Sequence, residues 1–161
     1  MLREEILKNI ERDSRVDVHE LAVRLGAADA EVINAMKEME DEGIICGYHT
    51  MIDWEKTSME SVTALIEVRC TLQRGQGFDR IAERIYMYPE VKSVYLISGG
   101  YDLRVTLEGK SIKEVSSFVS DKLSTLENVL STATHFILKK YKDHGTIMAK
   151  KSPDERQVIT P

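Results

Sequence analysis

The spacing of apolar residues changes partway along the chain, and this change constrains the fold more than any single motif. Before about residue 45 the apolar side chains recur every three or four positions, which is typical of amphipathic helices. From Val62 onward several runs alternate apolar and polar residues, which is typical of strands with one buried face. The charge changes too: residues 1–60 hold 7 Lys and Arg against 15 Asp and Glu, and residues 61–161 hold 15 against 12. We therefore expect two modules of different class.

The first module is predicted to contain three short amphipathic helices. The first helix runs from residue 2 to 12. The second begins after Asp17, whose carboxylate is placed to cap it, and ends at Gly26. The third has Asp29 as its cap and ends at Gly43. The apolar side chains expected in the core of this bundle are Leu2, Ile6, Leu7, Ile10, Leu21, Ala22, Leu25, Val32, Ile33, Met36 and Met39.

A strand is predicted at residues 44–52, directly after the third helix. Two helices joined by a Gly-containing turn form a helix-turn-helix, and the added strand makes residues 1–52 a winged helix-turn-helix domain. Residues 53–61 are predicted to be a linker. A small three-helix bundle is also typical of docking and oligomerisation modules, so the pattern alone leaves DNA binding open.

The second module, residues 62–142, is predicted to be a ferredoxin-like domain, which makes the whole chain an α+β protein. Its elements follow the order βαββαβ, with strands at residues 62–71, 91–98, 101–108 and 130–141. The residues expected on the buried faces of its two helices are Phe78, Ile81, Ala82 and Ile85, then Ile112, Val115, Val119, Leu123 and Leu126.

Both helices are expected to cover the same face of the sheet. The apolar residues expected on the other face are Leu65, Tyr95, Ile97, Ala133 and Ile137. Because such a patch is unfavourable in water, we expect a homodimer or a higher oligomer that buries it. The alternative is that the first module folds over the sheet. Residues 143–161 form a C-terminal tail, expected to be disordered or, alternatively, to dock on a neighbouring subunit.

Several classes of protein are excluded by what the chain lacks. No apolar run approaches the roughly 20 residues of a membrane span, and the charged start does not read as a signal peptide. We therefore expect a cytoplasmic protein without a membrane partner; two Cys, too few for a disulfide framework, agree. No metal-ligand spacing or catalytic motif is present, so no metal, cofactor or catalytic residue is expected. Gly75–Gly77 is interpreted as the entry turn of a helix.

The order of a helix-turn-helix, a short strand and a βαββαβ domain resembles the Lrp/AsnC family of bacterial and archaeal transcription regulators. The segments that carry the resemblance are Leu21–Gly26, Glu40–Tyr48, Val91–Val94 and Ser98–Asp102. The resemblance implies a regulator that binds double-stranded DNA with its first module and senses a small molecule, frequently an amino acid, with its second. It also implies dimers joined through sheets and linker strands, often assembled further.

For this chain, the resemblance implies an effector site at residues 98–102, a Gly-rich turn between two predicted strands. Glycines let a ligand carboxylate approach the backbone N–H groups closely. Asp102 can accept from an α-ammonium group, and Thr132 and Thr134 on the last strand offer hydroxyls. The residues assigned to the site are Gly99, Gly100, Tyr101, Asp102, Thr132 and Thr134. An ordinary hairpin turn, in which a Gly-Gly pair is also expected, is the alternative.

The third helix would read DNA bases, and its charge is unusual for that task. Residues 28–42 hold one cation, Lys37, and six carboxylates, whereas members of the family usually carry Ser-Pro and Arg there. Asn34 can pair with adenine and Lys37 with guanine or a phosphate. Arg15 and Arg24 are candidate phosphate contacts. Few cations predict weak binding by one module, which tandem dimers offset.

The second hypothesis is an Lrp-like scaffold with weak or no DNA binding. It would act as a ligand-binding module, or as an enzyme similar to the sirohaem decarboxylases. Arg69, Arg104 and His135 are the residues that such an enzyme could use, the cations for substrate carboxylates and the histidine as acid or base. The alternative interpretation is that both arginines are solvated strand positions.

Overall fold

Residues 1–71 and 77–148 are described by a computed structural model, in which the chain divides into two units. One is Met1–Ile52 and the other begins at Asp53; each is described by itself. Most of the predicted entry turn at Gly75–Gly77 lies outside the described residues, and so does the part of the predicted tail from residue 149 on.

Three helices pack around a small apolar core in the first unit, as predicted. They are α1 (Leu2–Arg12), α2 (Val18–Leu25) and α3 (Asp29–Asp41). The buried core residues are Ile6, Ile10, Leu21, Ala22, Val32, Ala35 and Met39. Ile33 was predicted in this core but is 51% exposed, whereas Ala35 is buried. The residues of α3 that face the core lie three, four and seven positions after Val32. Ile33, one position after Val32, therefore points away from the core.

Two of the predicted helix signals are confirmed and one is wrong. The Asp17 carboxylate accepts a hydrogen bond, 3.0 Å long, from the backbone N–H three residues on. Gly26 ends α2 with a φ of +65°, a left-handed conformation that favours glycine. Asp29 is not a cap, because it is already the first helical residue of α3. Instead, the Glu31 carboxylate accepts from the backbone N–H of the residue before the helix, at 2.8 Å.

The strand predicted at residues 44–52 is wrong for the single chain. This segment is described throughout, and none of it pairs as a strand. A strand needs a neighbour for its N–H and C=O groups, and a unit made of three helices has no strand edge to offer. The Tyr48 hydroxyl donates to the Glu40 carboxylate at 2.7 Å and ties the segment to α3. The predicted linker, residues 53–61, contains a short 3₁₀ turn at Trp54–Lys56.

The second unit has the predicted order of elements, which confirms the ferredoxin-like, α+β fold. Its strands are β1 (Val62–Cys70), β2 (Val91–Leu96), β3 (Leu103–Gly109) and β4 (Val129–Phe136). Its helices are α4 (Phe78–Tyr86) and α5 (Ile112–Phe118), and α5 continues into a π-helical turn at Val119–Leu123. The strands form one antiparallel sheet in the order β2-β3-β1-β4.

Alternate strand residues and both helices enclose the core of this unit on one side of the sheet. The buried residues are Ala64, Ile66, Val68, Ile81, Ile85, Leu103, Val105, Leu107, Val115, Phe118, Val119 and Leu123. Ile112, predicted in this core, is 57% exposed. The Ser111 hydroxyl caps α5 just before it, and the buried face of the helix begins only at Val115. Phe118 takes a core position that the sequence pattern did not assign.

The last strand is shorter than predicted. β4 ends at Phe136 rather than at residue 141. The chain then forms a small hairpin of β5 (Lys142–Asp143) and β6 (Thr146–Ile147), partly within the predicted tail. His144 and Gly145 connect the two strands with φ angles of +42° and +81°, as a type I′ hairpin turn requires.

Candidate DNA-binding and effector sites

The exposed side of α3 carries the two residues predicted to contact bases. Asn34 and Lys37 are both exposed and lie three positions apart, on one side of the helix. The exposed carboxylates of the same helix are Asp29, Glu31, Glu38, Glu40 and Asp41. An amide and one ammonium are therefore presented within a negatively charged surface, which disfavours close approach to phosphates.

The two arginines predicted to contact phosphates differ in their surroundings. An Nη1 N–H of Arg24 donates to the Asn9 Oδ1 at 2.9 Å, so this side chain ties α2 to α1. Arg15 lies exposed between α1 and α2, where its backbone N–H donates to the Asp13 carboxylate at 2.9 Å. The guanidinium of Arg24 thus has a structural contact within the bundle in addition to any contact with DNA.

Three polar contacts engage carboxylates in and just after α3, and sequence reasoning missed all of them. The pairs are His19 with Asp29 at 3.0 Å, Arg3 with Glu42 at 2.5 Å and Tyr48 with Glu40 at 2.7 Å. Each partner lies outside α3, so the spacing of charges along that helix gives no sign of it. Burial and the hydrogen bond to the carboxylate raise the pKa of Tyr48 to about 12. Two of these carboxylates, Asp29 and Glu40, therefore accept hydrogen bonds, and Glu42 pairs with a cation.

The Gly-rich loop joins β2 to β3, and it is longer than a two-residue hairpin turn. Its ends are linked by a 2.8 Å hydrogen bond from the Ile97 N–H to the Asp102 carbonyl. Neither Gly99 nor Gly100 has a positive φ, so neither takes the left-handed conformation of a two-residue Gly-Gly turn. The loop still joins two antiparallel strands as a hairpin, which the alternative interpretation also expects. A Cβ on Gly100 would meet no atom within 4 Å. Neither backbone conformation nor packing within the described chain accounts for that glycine.

Asp102 anchors the loop to the end of β1. Its Oδ2 accepts a 2.7 Å hydrogen bond from the Cys70 N–H, and its own N–H donates to the Val68 carbonyl at 3.0 Å. Asp102 was predicted to bind an ammonium group, and one of its two carboxylate oxygens thus already accepts a hydrogen bond within the chain. Burial, and then the Asp102 charge, raise the pKa of the Cys70 thiol to about 11.

Thr132 and Thr134 are not brought together with the Gly-rich loop within one chain. They lie opposite Val68 and Ile66 in the sheet, so their side chains point to the helix-covered face. The Thr132 hydroxyl lies 3.2 Å from that of Ser124. Because β4 and β3 lie on either side of β1, two strand spacings, about 10 Å, separate the threonines from the strand that follows the loop.

The open face of the sheet is more polar than predicted. A cavity of about 260 Å³ on this face is lined by Leu65, Glu67, Tyr101, Arg104 and His135. The His135 Nε2 lies 3.5 Å from the Glu67 carboxylate. Two residues of the enzyme hypothesis therefore meet here beside Tyr101 of the loop, whereas Arg69 does not line the cavity. Tyr95 is 56% exposed on the same face.

The part of the chain that the structure describes forms neither a metal site nor a membrane span. Within it, no group of three or more His, Cys, Asp or Glu side chains is arranged to hold a metal ion. No described helix is long and apolar enough to cross a membrane.

Both units match known protein families. Residues 63–147 match the Lrp/AsnC ligand binding domain, and residues 2–45 match a winged helix-turn-helix DNA-binding domain. The chain is 49% identical over 158 residues to an uncharacterised HTH-type transcriptional regulator, YugG of Bacillus subtilis, covering 98% of this chain and 95% of that protein. It is 28% identical over 134 residues to the proline dehydrogenase transcriptional activator of Rhodobacter capsulatus, covering 83% and 86%.

Solved structures show the same fold. A regulator of Neisseria meningitidis in complex with L-Met superposes with a TM-score of 0.70 at 24% identity, covering 88% of this chain and 91% of that one. A feast or famine regulatory protein of M. tuberculosis, complexed with L-methionine, gives 0.72 at 22% identity, covering 88% and 93%. The two family matches and the 49% identical relative, named as a transcriptional regulator, answer the enzyme hypothesis. The chain belongs to the Lrp/AsnC family: it is a DNA-binding transcription regulator that responds to a small molecule, and it is not an enzyme.

Proposed function

We propose that this regulator binds operator DNA through α3 and binds an amino acid at the loop of residues 98–102. The observation that carries the effector half is the match of residues 63–147 to the Lrp/AsnC ligand binding domain, in which Gly100 lies with open space around it. A glycine that is needed neither for its φ nor for packing leaves the backbone N–H groups accessible to a ligand. As a DNA-binding protein, it is expected to act in the cytoplasm.

On the DNA side, Asn34 and Lys37 are proposed to contact base edges in the major groove. Asparagine pairs with adenine through two hydrogen bonds, and lysine donates to guanine or to a phosphate. Arg15 and the free N–H groups of Arg24 are proposed to contact phosphates. Since carboxylates surround these groups, binding by one module is expected to be weak and to fall steeply with salt. Linked modules in an oligomer raise the effective concentration and offset this weakness.

Selection of bound fragments from a pool of random duplexes at low salt tests the DNA half. We expect an enriched, roughly palindromic sequence, because symmetric dimers bind symmetric half-sites. Asn34→Ala should weaken binding to it by about 1–3 kcal/mol and relax the preference at one position. The matched control is Ser116→Ala, which removes a polar side chain from an exposed position of α5, outside the first unit. A folded protein that enriches no sequence would contradict the proposal and favour the weak-binding alternative.

On the effector side, the loop is proposed to hold the carboxylate of an amino acid on its backbone N–H groups. Two structural neighbours are complexes with L-methionine, and one relative is named as an activator of proline dehydrogenase, which supports amino-acid chemistry. The proposed contacts are Gly99, Gly100, Tyr101 and Asp102, whose Oδ1 is left for the ammonium group. Thr132 and Thr134 can join this set only from a second copy of the chain.

Calorimetric titration with a panel of amino acids tests the effector half. We expect one or a few to bind saturably, and Gly100→Val to abolish that binding, because the added side chain occupies the approach to the N–H groups. Gly77→Val is the matched control, since Gly77 also lacks a positive φ and has open space around it. If Gly100→Val binds as tightly as the unaltered protein, the loop is not the site.

The assembly is proposed to be a homodimer, or a larger assembly of dimers, joined through the open face of the sheet. Leu65 and the half-exposed Tyr95 on that face supply apolar contact area. Residues 44–52 find no strand partner in their own unit, and pairing with the same segment of a second copy would satisfy their backbone groups.

A further inference from the structure

One side of α3 carries a stripe of side chains that the core does not use. Its four members are exposed and follow the three- and four-residue spacing of a single helix side, and they are Ala30, Ile33, Asn34 and Lys37. Ile33 is the largest apolar member and is 51% exposed. The stripe lies within residues 2–45, which match a winged helix-turn-helix DNA-binding domain. We refer to these four residues as the α3 stripe.

The α3 stripe offers little ionic chemistry to a DNA base. Its one cation is Lys37, and the Asp41 carboxylate follows one turn further along the same side of the helix. The major-groove edge of guanine offers two acceptors, which a bidentate arginine reads best, and residues 28–42 contain no arginine. An uncharged contact is therefore the chemistry that this side of the helix is best able to supply.

An A·T base pair presents in the major groove the two features that Ile33 and Asn34 can recognise. Thymine carries a C5-methyl group, which is read by apolar contact, and adenine offers an acceptor and a donor that pair with an asparagine amide. Cytosine instead presents an amino N–H, and an apolar side chain packed on it would leave that donor without an acceptor. Contact with Ile33 thus favours thymine over the other pyrimidine.

The branched side chain of Ile33 suits such a contact, and the fold of the helix does not require it. A β-branched residue in a helix has one strongly preferred χ1 rotamer, so little side-chain freedom is lost when it packs on a base. Helix formation alone favours alanine or leucine over isoleucine. The core of this unit takes the neighbouring Val32 and Ala35 from α3 instead. The side chain of Ile33 is therefore free to contact a partner.

We propose that Ile33 is a specificity-determining residue that selects one thymine in each half-site through its C5-methyl group. The Ile33 side chain packs on that methyl group in the major groove, while Asn34 pairs with a neighbouring adenine. The inference rests on the proposed function, because it needs α3 to enter the major groove. It deepens that function by naming a base, the chemical group that is read and the side chain that reads it.

Replacement of thymine by uracil in the DNA tests the contact, because it removes the C5-methyl group and keeps every base-pairing hydrogen bond. The probes are duplexes enriched by the full chain from a random pool at low salt, with uracil placed at each thymine of one half-site in turn. At one of these positions we expect uracil to weaken binding about fourfold, the effect of one buried methyl group.

Ile33→Ala should bind the thymine duplex about fourfold more weakly and should no longer distinguish thymine from uracil at that position. Ile33→Val keeps a branched apolar side chain and should retain part of the preference. Ile112→Ala is the matched control, since it removes the same side chain from a 57% exposed position in the second unit, and it should keep the full preference. Circular dichroism checks that each variant is folded.

The outcomes separate this inference from the proposed function. If the enriched duplex has no thymine that binds better than uracil, or if Ile33→Ala keeps the preference, Ile33 does not read a methyl group, while DNA binding by the chain stands. If the full chain enriches no sequence, both proposals are wrong. The uracil measurement on the unaltered chain changes only the DNA, so its result does not depend on how any variant folds.

Discussion

Cys70 and Asp102 form a contact between β1 and the Gly-rich loop that decides the chemistry of both residues. The Cys70 N–H donates to the Asp102 Oδ2 at 2.7 Å, which holds the loop against the sheet. The same proximity places a carboxylate beside a partly buried thiol, and burial together with this charge raises its pKa to about 11. Cys46, in contrast, is exposed.

The two thiols should therefore differ in reactivity, because the thiolate is the reacting form. At mildly alkaline pH, we expect a disulfide reagent to label Cys46 quickly and Cys70 much more slowly. The rate is measured on Cys46→Ser and Cys70→Ser, each of which keeps one thiol, with the unfolded chain as the reference in which both react alike. Equal rates in the folded variants would contradict the burial and charge assigned to Cys70.

A second prediction at this scale concerns Tyr48, whose folded pKa of about 12 exceeds the ordinary value of roughly 10. A raised pKa in the folded state means that this contribution to stability is complete below pH ~10 and is lost as the pH rises through about 12. Tyr48→Phe should lower the free energy of unfolding at neutral pH and remove this alkaline loss. Urea unfolding at several pH values checks it. If Tyr48→Phe loses as much unfolding free energy at alkaline pH as the unaltered protein, Tyr48 is not the source of that loss.

At the scale of elements, the short helices depend on how their ends are satisfied. α2 has only eight residues, and it is closed by a side-chain cap at Asp17 and by a left-handed Gly26. The start of α3 depends on Glu31, which accepts from the backbone N–H before the helix. Such caps satisfy terminal N–H and C=O groups that have no backbone partner within the helix.

We expect Asp17→Ala to destabilise the first unit by about 1 kcal/mol, since the first turn of α2 loses an acceptor. Gly26→Ala should cost a similar ~1 kcal/mol, because an alanine is strained at a φ of +65°. Gly100→Ala serves as the control, because Gly100 has no positive φ, has open space around it and caps no helix, so it should change little. Chemical unfolding followed by circular dichroism measures all three, and a Gly100→Ala effect as large as that of Gly26→Ala would argue against backbone strain.

At the scale of the whole molecule, the sheet has one face covered by α4 and α5 and one that no described part of its own unit covers. The open face combines Leu65 and Tyr95 with the polar side chains of Glu67, Arg104 and His135. A surface with both charges and apolar area can pair with a second copy of itself across a two-fold axis.

Leu65→Glu tests this pairing, because it places a carboxylate beside Glu67 in the proposed interface. Sedimentation at several concentrations should show dimers for the unaltered chain and about tenfold weaker association for the variant. Val23→Glu is the control, since it adds the same charge at an exposed apolar residue of the first unit. A monomeric parent chain, or equal association of Leu65→Glu, would reject this face as the interface.

Periodicity predicted two kinds of element well. One kind has its capping residues next to it in the chain, and the other has a long, regular pattern of apolar residues. α1, α2 and β1 begin and end where their caps and alternation place them, within one residue. Ile33 and Ile112 were misplaced because an apolar residue next to a core position cannot be told from a core residue by type alone. The polar contacts of Asp29, Glu40 and Glu42 were missed altogether, because each partner lies on another part of the chain.

The sequence by itself determined the two-unit organisation, the order of helices and strands and the family, because each depends on local spacing or on the succession of short motifs. Only the tertiary structure decided which predicted site residues share a surface. Strand pairing placed Thr132 and Thr134 on the helix-covered face, away from Gly100, and brought Arg104 and His135 to one cavity. Those neighbours are set by register and by sheet order, which join residues far apart in the chain and leave no periodic pattern in it.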